Sequence, residues 1–125
     1  MSSVAADAKV DEQKTAKKKH ALLIIDVQND FCPPNGSLKV GEGDKIIPII
    51  NRLRKQKEYD LIVLSQDWHP KNHSSFHSNN VKARPEAKLF MPLKLSNGSD
   101  QIMWPDHCVQ GSKGAEFHPD LDRAD

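Results

Sequence analysis

Two short aliphatic runs, each followed by an acidic residue, constrain the fold of this chain more than any other feature. The first covers residues 22–25 and is followed by Asp26, and the second covers 61–64 and is followed by Gln66 and Asp67. Uninterrupted apolar runs of this length are typical of strands buried on both faces of a parallel sheet. The carboxylate of Asp26 either accepts hydrogen bonds from a following turn or acts as a general base, and the pattern alone leaves both interpretations open.

A helix is predicted between the two runs. Asp44 stands where an N-cap would, apolar residues recur at helical spacing from Ile46 to Leu53, and Pro48 falls in the first turn. Strand, helix and strand make a βαβ unit with two parallel strands and a right-handed crossover. Ligands bind outside the carboxyl ends of such strands, so Asp26 and Asp67 are predicted to lie at the same sheet edge.

Two further segments complete the organisation. Residues 1–19 are small, polar and charged, which predicts a disordered leader ahead of a domain over 20–125. Their final lysines are either a solvated tail or a weak signal for nuclear import or an anionic surface. A turn cluster at 33–37 is predicted to reverse the chain after Phe31, with its Asn-Gly pair at positive φ.

Composition excludes several classes of partner. Eighteen basic against seventeen acidic residues give a net charge of +1, which provides no electrostatic case for nucleic acid. No window approaches the roughly 18 apolar residues of a membrane span, and the N-terminus lacks the apolar core of a signal peptide. The two cysteines have no CxxC spacing, so reduced thiols in a cytoplasmic protein are predicted, with the nucleus as the alternative.

The segment from 69 to 112 is predicted to be a long irregular loop, a kind of segment that is usually functional or disordered. Five of the six histidines fall between positions 69 and 118. Asp67, His69 and His107 offer oxygen and nitrogen ligands of the kind that suit zinc, iron or manganese, and His73 is a further candidate. The alternative is that these side chains cap turns or face solvent.

Three other side chains near the predicted edge have two interpretations each. Cys108 follows a histidine, whose charge would favour a thiolate, but adjacent side chains point apart, and a small packing residue is the better account. Phe31 and Trp104 are either core residues or stacking surfaces for a planar ligand.

Taken together, the sequence blocks resemble the nicotinamidase/pyrazinamidase family of isochorismatase-like cysteine hydrolases. The blocks are ALLIIDVQNDF, PNGSL, VLSQDWHPKNHSSF and IMWPDHCVQGSKGAEFHPDLD, in the order in which the family carries them. The resemblance implies a three-layer α/β/α fold with a parallel sheet, expected here to be truncated after the βαβ unit and the metal-site loop. It also implies hydrolysis of nicotinamide to nicotinate and ammonia through a thioester, a step of NAD salvage.

The resemblance also implies a role for each matching residue. Asp26 corresponds to the acid that takes the proton of the catalytic thiol. Asp67, His69 and His107 match the ligands of a divalent metal, commonly zinc or iron, and His73 lies near a further ligand of some members. Phe31 and Trp104 resemble the aromatic walls around the pyridine ring of the nicotinamide substrate.

One departure from the family pattern changes what is expected of this chain. The catalytic lysine and the nucleophilic cysteine of the family lie C-terminal to the FHPDLD block, and neither Cys32 nor Cys108 stands in the nucleophile motif. We therefore expect the metal-bearing part of a nicotinamidase, inactive alone. The alternatives are a non-catalytic metal-binding or interaction module, which could form a homo-oligomer through its uncovered sheet edge, and an amidase for another small amide.

Overall fold

A parallel pair of strands joined by a helix forms the centre of the fold. In the computed structural model, which describes residues 17–123, β1 (Ala21–Ile25) and β2 (Leu61–Ser65) pair in parallel, with Ala21 opposite Leu61 and Ile25 opposite Ser65. The helix α1 (Ile46–Gln56) connects them. The predicted βαβ unit is therefore confirmed. Residues 1–16 of the predicted leader lie outside the described residues.

The core occupies one face of this sheet. Ile24 of β1 and Ile47 of α1 are almost fully buried in one hydrophobic cluster. Leu121 from the C-terminal segment belongs to the same cluster. The partly buried apolar residues that pack against this cluster are Leu22, Ile50, Ile62, Leu64 and Phe117. Burying apolar area of this kind supplies most of the favourable free energy of folding.

The other face of the sheet is open, which corrects the prediction of strands buried on both faces. Leu23 and Ile25 are about 60% exposed, and Leu61 and Val63 on β2 lie on the same uncovered side. Side chains alternate between the two faces of a strand, and within residues 17–123 only one face is covered by α1 and the C-terminal segment. A continuous apolar run therefore alternates in burial here.

The start of α1 differs from the prediction. A short 3₁₀ turn, Gly43–Lys45, precedes the helix, and Lys45 rather than Asp44 occupies the N-cap position, without a side-chain cap bond. Asp44 fails as a cap because the backbone is already helical at that residue. Pro48 lies in the first turn of α1, as predicted.

The C-terminal segment is tied across α1 by polar bonds. Asn51 donates from Nδ2 to the Asp120 carbonyl at 2.8 Å and accepts the Asp122 N–H at 2.9 Å. Arg54 donates to the Asp122 carbonyl at 2.6 Å. These bonds place Leu121 in the core between the two anchored residues.

The segment from 69 to 112 contains more structure than predicted. It forms a one-turn helix, α2 (His77–Asn80), and a hairpin of β3 (Pro92–Lys94) and β4 (Asp100–Ile102) with a small core of its own. Further 3₁₀ turns lie at Asn29–Phe31, between β1 and α1, and at Lys113–Ala115, directly after this segment. The strands are three residues long, which is too short for their alternation to be recognised in the sequence.

The turn after Phe31 reverses the chain, but for a different reason from the one predicted. Neither Asn35 nor Gly36 has a positive φ. A Cβ at Gly36 would lie only 2.6 Å from the Cys32 carbonyl oxygen, so glycine is required by the close approach of two backbone segments.

In the described part of the chain, no helix has the length and apolar character needed to cross a membrane.

Candidate functional site

Three of the predicted metal ligands lie together at the carboxyl end of β2. His69 Nε2 is 2.9 Å from Asp67 Oδ1, and His107 Nε2 is 3.3 Å from Asp67 Oδ2. The candidate ligand atoms of Asp67, His69 and His107 all lie within 4.8 Å of one another. We refer to these three residues as the ligand cluster.

Backbone pairing brings His107 to the cluster from a distant part of the chain. The His69 N–H donates to the Cys108 carbonyl at 2.9 Å, and the Gln110 N–H donates to the His69 carbonyl at 2.8 Å. This local bridge joins His69 to Val109 in parallel fashion. The residue before Cys108 is thereby placed beside the strand end that carries Asp67.

The cluster fits a divalent metal of the zinc type. His107 is buried, its Nδ1 donates to the Pro105 carbonyl at 2.7 Å, and its Nε2 lies on the side of the ring that faces Asp67. Metal-binding histidines commonly hold the second ring nitrogen in this way. One carboxylate and two imidazoles leave a coordination position for water or substrate.

His73 lies beside the cluster rather than in it. Its ring centroid is 4.2 Å from that of His69, but its Nδ1 is engaged with Ser75, 2.7 Å from Oγ and 3.2 Å from the backbone nitrogen. Burial lowers the pKa of His73, His69 lowers it further, and Asp67 acts in the opposite direction. The structure thus holds the His73 ring in a fixed orientation next to the three ligands.

Asp26 lies at the end of β1, next to Ser65 at the end of β2. Its Oδ1 accepts a hydrogen bond from Ser65 Oγ at 2.6 Å, and its N–H donates to the Ser65 carbonyl at 3.2 Å. Asp26 has φ 54°, a left-handed conformation that costs a non-glycine residue about 1–3 kcal/mol. Such conformations cluster at functional sites, and this one turns the chain away from the sheet immediately after the carboxylate.

The two predicted aromatic walls occupy different surroundings. The ring of Phe31 lies 5.8 Å from the ring of His107, and Phe31 also lines a cleft of about 360 Å³ that includes Asp26. Trp104 does not line that cleft. Its ring meets the edge of Phe90 at 6.0 Å, and its backbone pairs with Ser75 and His77.

Cys108 is held by a carboxylate that sequence analysis did not identify. Asp30 Oδ2 accepts the Cys108 N–H at 2.7 Å, and Cys108 takes a left-handed φ of 46°. Gly114 lies directly against this carboxylate, because a Cβ at that position would collide with the side chain of Asp30. Asp30 therefore fixes the backbone immediately after His107.

Replacing Gly114 with alanine is expected to lower the free energy of unfolding by about 1–3 kcal/mol, as overpacking does. The carboxylate of Asp30 cannot move away from the new methyl group without giving up its bond to Cys108. Urea unfolding measures the change. Gly41→Ala is the control, since its Cβ would meet open space, and equal losses in both variants would contradict the assignment.

Both thiols are buried and protonated. Cys108 is fully buried, and burial, followed by the charges of Asp30, Asp67 and Asp26, raises its pKa to about 12. The pKa of Cys32 is also raised, by burial and by Asp44. Because a thiolate is the reactive form, Cys108 is a packing residue in this structure, in line with the better of its two interpretations.

Besides Asp30, sequence analysis missed two residues that organise the cluster. Phe76 is fully buried, and its ring lies 5.4 Å from those of both His69 and His107. Gln28 is also fully buried, and its carboxamide bonds the backbone of Asp67. A signal existed for each, since Phe76 is the apolar residue of a polar histidine-rich segment and Gln28 lies three residues after the first strand.

A family model describing the isochorismatase domain matches residues 20–125. The chain belongs to the isochorismatase family. Its relatives include the nicotinamidase of Acinetobacter baylyi, which is 49% identical over 102 residues that make up 82% of this chain and 44% of the relative. The chain thus spans about half the length of the curated relatives it matches.

Solved structures support the same assignment. A nicotinamidase and pyrazinamidase of Acinetobacter baumanii superposes with a TM-score of 0.71 at 45% identity, covering 86% of this chain and 48% of that one. The pyrazinamidase of Pyrococcus horikoshii, solved in complex with zinc, gives a TM-score of 0.57 at 41% identity, covering 85% and 48%. The isochorismatase-like α/β fold and the predicted resemblance are confirmed.

Proposed function

We propose that this isochorismatase-family chain provides the metal-binding and proton-accepting part of a nicotinamidase, which hydrolyses nicotinamide to nicotinate and ammonia. The observation that carries the proposal is the ligand cluster of Asp67, His69 and His107 at the same sheet edge as Asp26. The 49% identity to a nicotinamidase supports the choice of substrate. Pyrazinamide, a second six-membered aromatic amide, is the alternative substrate within this class.

In this proposal Asp67, His69 and His107 hold one divalent ion. Zinc is the first choice, supported by the zinc complex of the pyrazinamidase relative, and iron and manganese suit the same donors. Such a metal supplies Lewis acidity and a coordination position for water or substrate. Burial of His107 and the bond from its Nδ1 to the Pro105 carbonyl fix the orientation of its ring, so that Nε2 is presented to the ligand cluster.

The other residues position the substrate and take up a proton. Asp26 acts as the base that accepts the proton of the attacking thiol, with its carboxylate held in place by Ser65. In this proposal Phe31 is one aromatic wall, next to His107, and Trp104 is a second wall that lies outside the cleft of Phe31 and Asp26 and packs on Phe90.

The chain alone is expected not to turn over its substrate. The reaction needs a thiolate nucleophile, and both cysteines of the chain are buried with raised pKa values. Neither cysteine stands in the nucleophile motif of the family. The catalytic lysine of the family has no counterpart in the matching sequence blocks. The contribution of this chain is thus metal and substrate binding plus the carboxylate of Asp26.

Two measurements on the purified chain with added zinc test this function. Saturation-transfer NMR should detect nicotinamide binding in the wild type, with weaker binding in Trp104→Ala and weaker binding of benzamide, which lacks the ring nitrogen. An ammonia assay should detect no turnover. Equal signals from nicotinamide and benzamide would contradict the pyridine site. Ammonia release that disappears in Cys108→Ala would make Cys108 the nucleophile and overturn our division of roles.

A further inference from the structure

The backbone ladder between β1 and β2 ends close to the ligand cluster. Its last main-chain bond runs from the Asp26 N–H to the Ser65 carbonyl at 3.2 Å, and the left-handed φ of Asp26 then carries the chain away from β2. Asp67 follows two residues after β2 ends, beyond this ladder. A partly buried backbone group without a partner is costly, so the N–H and the C=O of Asp67 both need bonds from elsewhere.

The carboxamide of Gln28 supplies both bonds. Its Oε1 accepts the Asp67 N–H at 2.8 Å, and its Nε2 donates to the Asp67 carbonyl at 2.8 Å. A carboxamide carries the same donor and acceptor as a peptide group. The side chain of Gln28 therefore continues the ladder where the main chain of β1 has left it.

The remaining contacts of Gln28 leave its side chain no freedom. It is fully buried, and Nε2 also donates to the Ala115 carbonyl at 2.7 Å, in the 3₁₀ turn that includes Gly114. Its own backbone is fixed as well, through a bridge to Phe117. A side chain bonded at both ends and excluded from water holds its partners in a single geometry.

We propose that Gln28 is a positioning residue for the metal ligand Asp67, an inference that rests on the proposed metal site. By fixing both backbone groups of Asp67, it sets the direction of the carboxylate towards His69 and His107. Replacing a residue that orients a metal ligand without itself binding the metal typically weakens metal binding by about 10–100-fold.

The replacement Gln28→Glu isolates this role. Glutamate has nearly the same shape, but it puts a carboxylate oxygen opposite the two carbonyls of Asp67 and Ala115 to which Nε2 now donates. Gln66→Glu is the matched control, because Gln66 Nε2 donates to the same Ala115 carbonyl at 2.9 Å and makes no side-chain bond to the backbone of Asp67. The two variants lose the same bond to Ala115 and differ at Asp67.

The experiment measures the zinc dissociation constant of each chain by competition with a chromophoric chelator, together with the absorption spectrum of bound Co²⁺. We expect about 10–100-fold weaker zinc binding and an altered cobalt spectrum in Gln28→Glu, and wild-type values in Gln66→Glu. Equal affinities and spectra in all three chains would overturn the role of Gln28. Failure of the wild type to bind zinc would instead overturn the proposed metal site.

A second measurement needs no variant and covers the case in which Gln28→Glu does not fold. Amide hydrogen exchange of the metal-free wild type should show the Asp67 N–H protected, because its acceptor is the buried Oε1 of Gln28. Exchange of that amide at the rate of an exposed loop would overturn the inference independently of any metal.

Discussion

Replacing His107 with alanine is expected to weaken zinc binding by more than about 100-fold, beyond the effect of losing an orienting residue. The wild-type chain should bind about one divalent ion through Asp67, His69 and His107, and the variant keeps only two ligands. His107 is the most buried of the three, and the bond from its Nδ1 to the Pro105 carbonyl fixes the ring that presents Nε2 to the cluster. Isothermal titration with zinc measures the loss.

A remote histidine provides the control for this experiment. His20 is exposed and lies directly before β1, at the amino end of the sheet, away from the ligand cluster. His20→Ala should therefore bind zinc as the wild type does. Unchanged zinc content in His107→Ala would remove His107 from the ligand set.

Replacing Phe76 with alanine is expected to lower the free energy of unfolding by about 3–5 kcal/mol, the range for a buried phenylalanine. Phe76 has no exposed surface, and its ring lies against those of three histidines, His69, His73 and His107. The cavity left by the ring would remove the apolar support of two candidate ligands. We therefore expect weaker zinc binding together with the loss of stability.

Phe90 provides the matched control for Phe76. It is the same residue type, but 58% of its surface is exposed, and its ring contact is with Trp104 rather than with the histidines. Phe90→Ala should change the urea midpoint of the metal-free chain only slightly. Equal losses of stability in the two variants would contradict the role of Phe76 as a buried core residue.

The sequence predicted the parts of this molecule that depend on local patterns. Hydrophobic runs and helical spacing are short-range properties, so the βαβ unit and the position of Asp26 and Asp67 at one sheet edge could be predicted without a template. The N-cap at Asp44 could not, because a preceding 3₁₀ turn changes the backbone there. The hairpin of β3 and β4 was missed because its strands are shorter than the period needed to detect them.

The site depends on contacts that no local pattern encodes. A D-x-H motif followed much later by a second histidine is compatible with ligands and with turn caps alike. What joins them is the pairing of His69 with the backbone around Cys108, which is set by the anchoring of that segment through Asp30. The buried roles of Gln28 and Phe76 belong to the same non-local packing.

The family, the parallel strand pair and the candidate residues at its carboxyl edge were predictable because motif order, apolar runs and strand ends are properties of contiguous segments. The contact of His107 with Asp67 and His69, the burial of the Cys108 thiol and the open face of the described sheet were not predictable from any one segment. Each of these depends on which distant segments pack together, since burial and hydrogen bonding across the fold set ligand geometry and pKa.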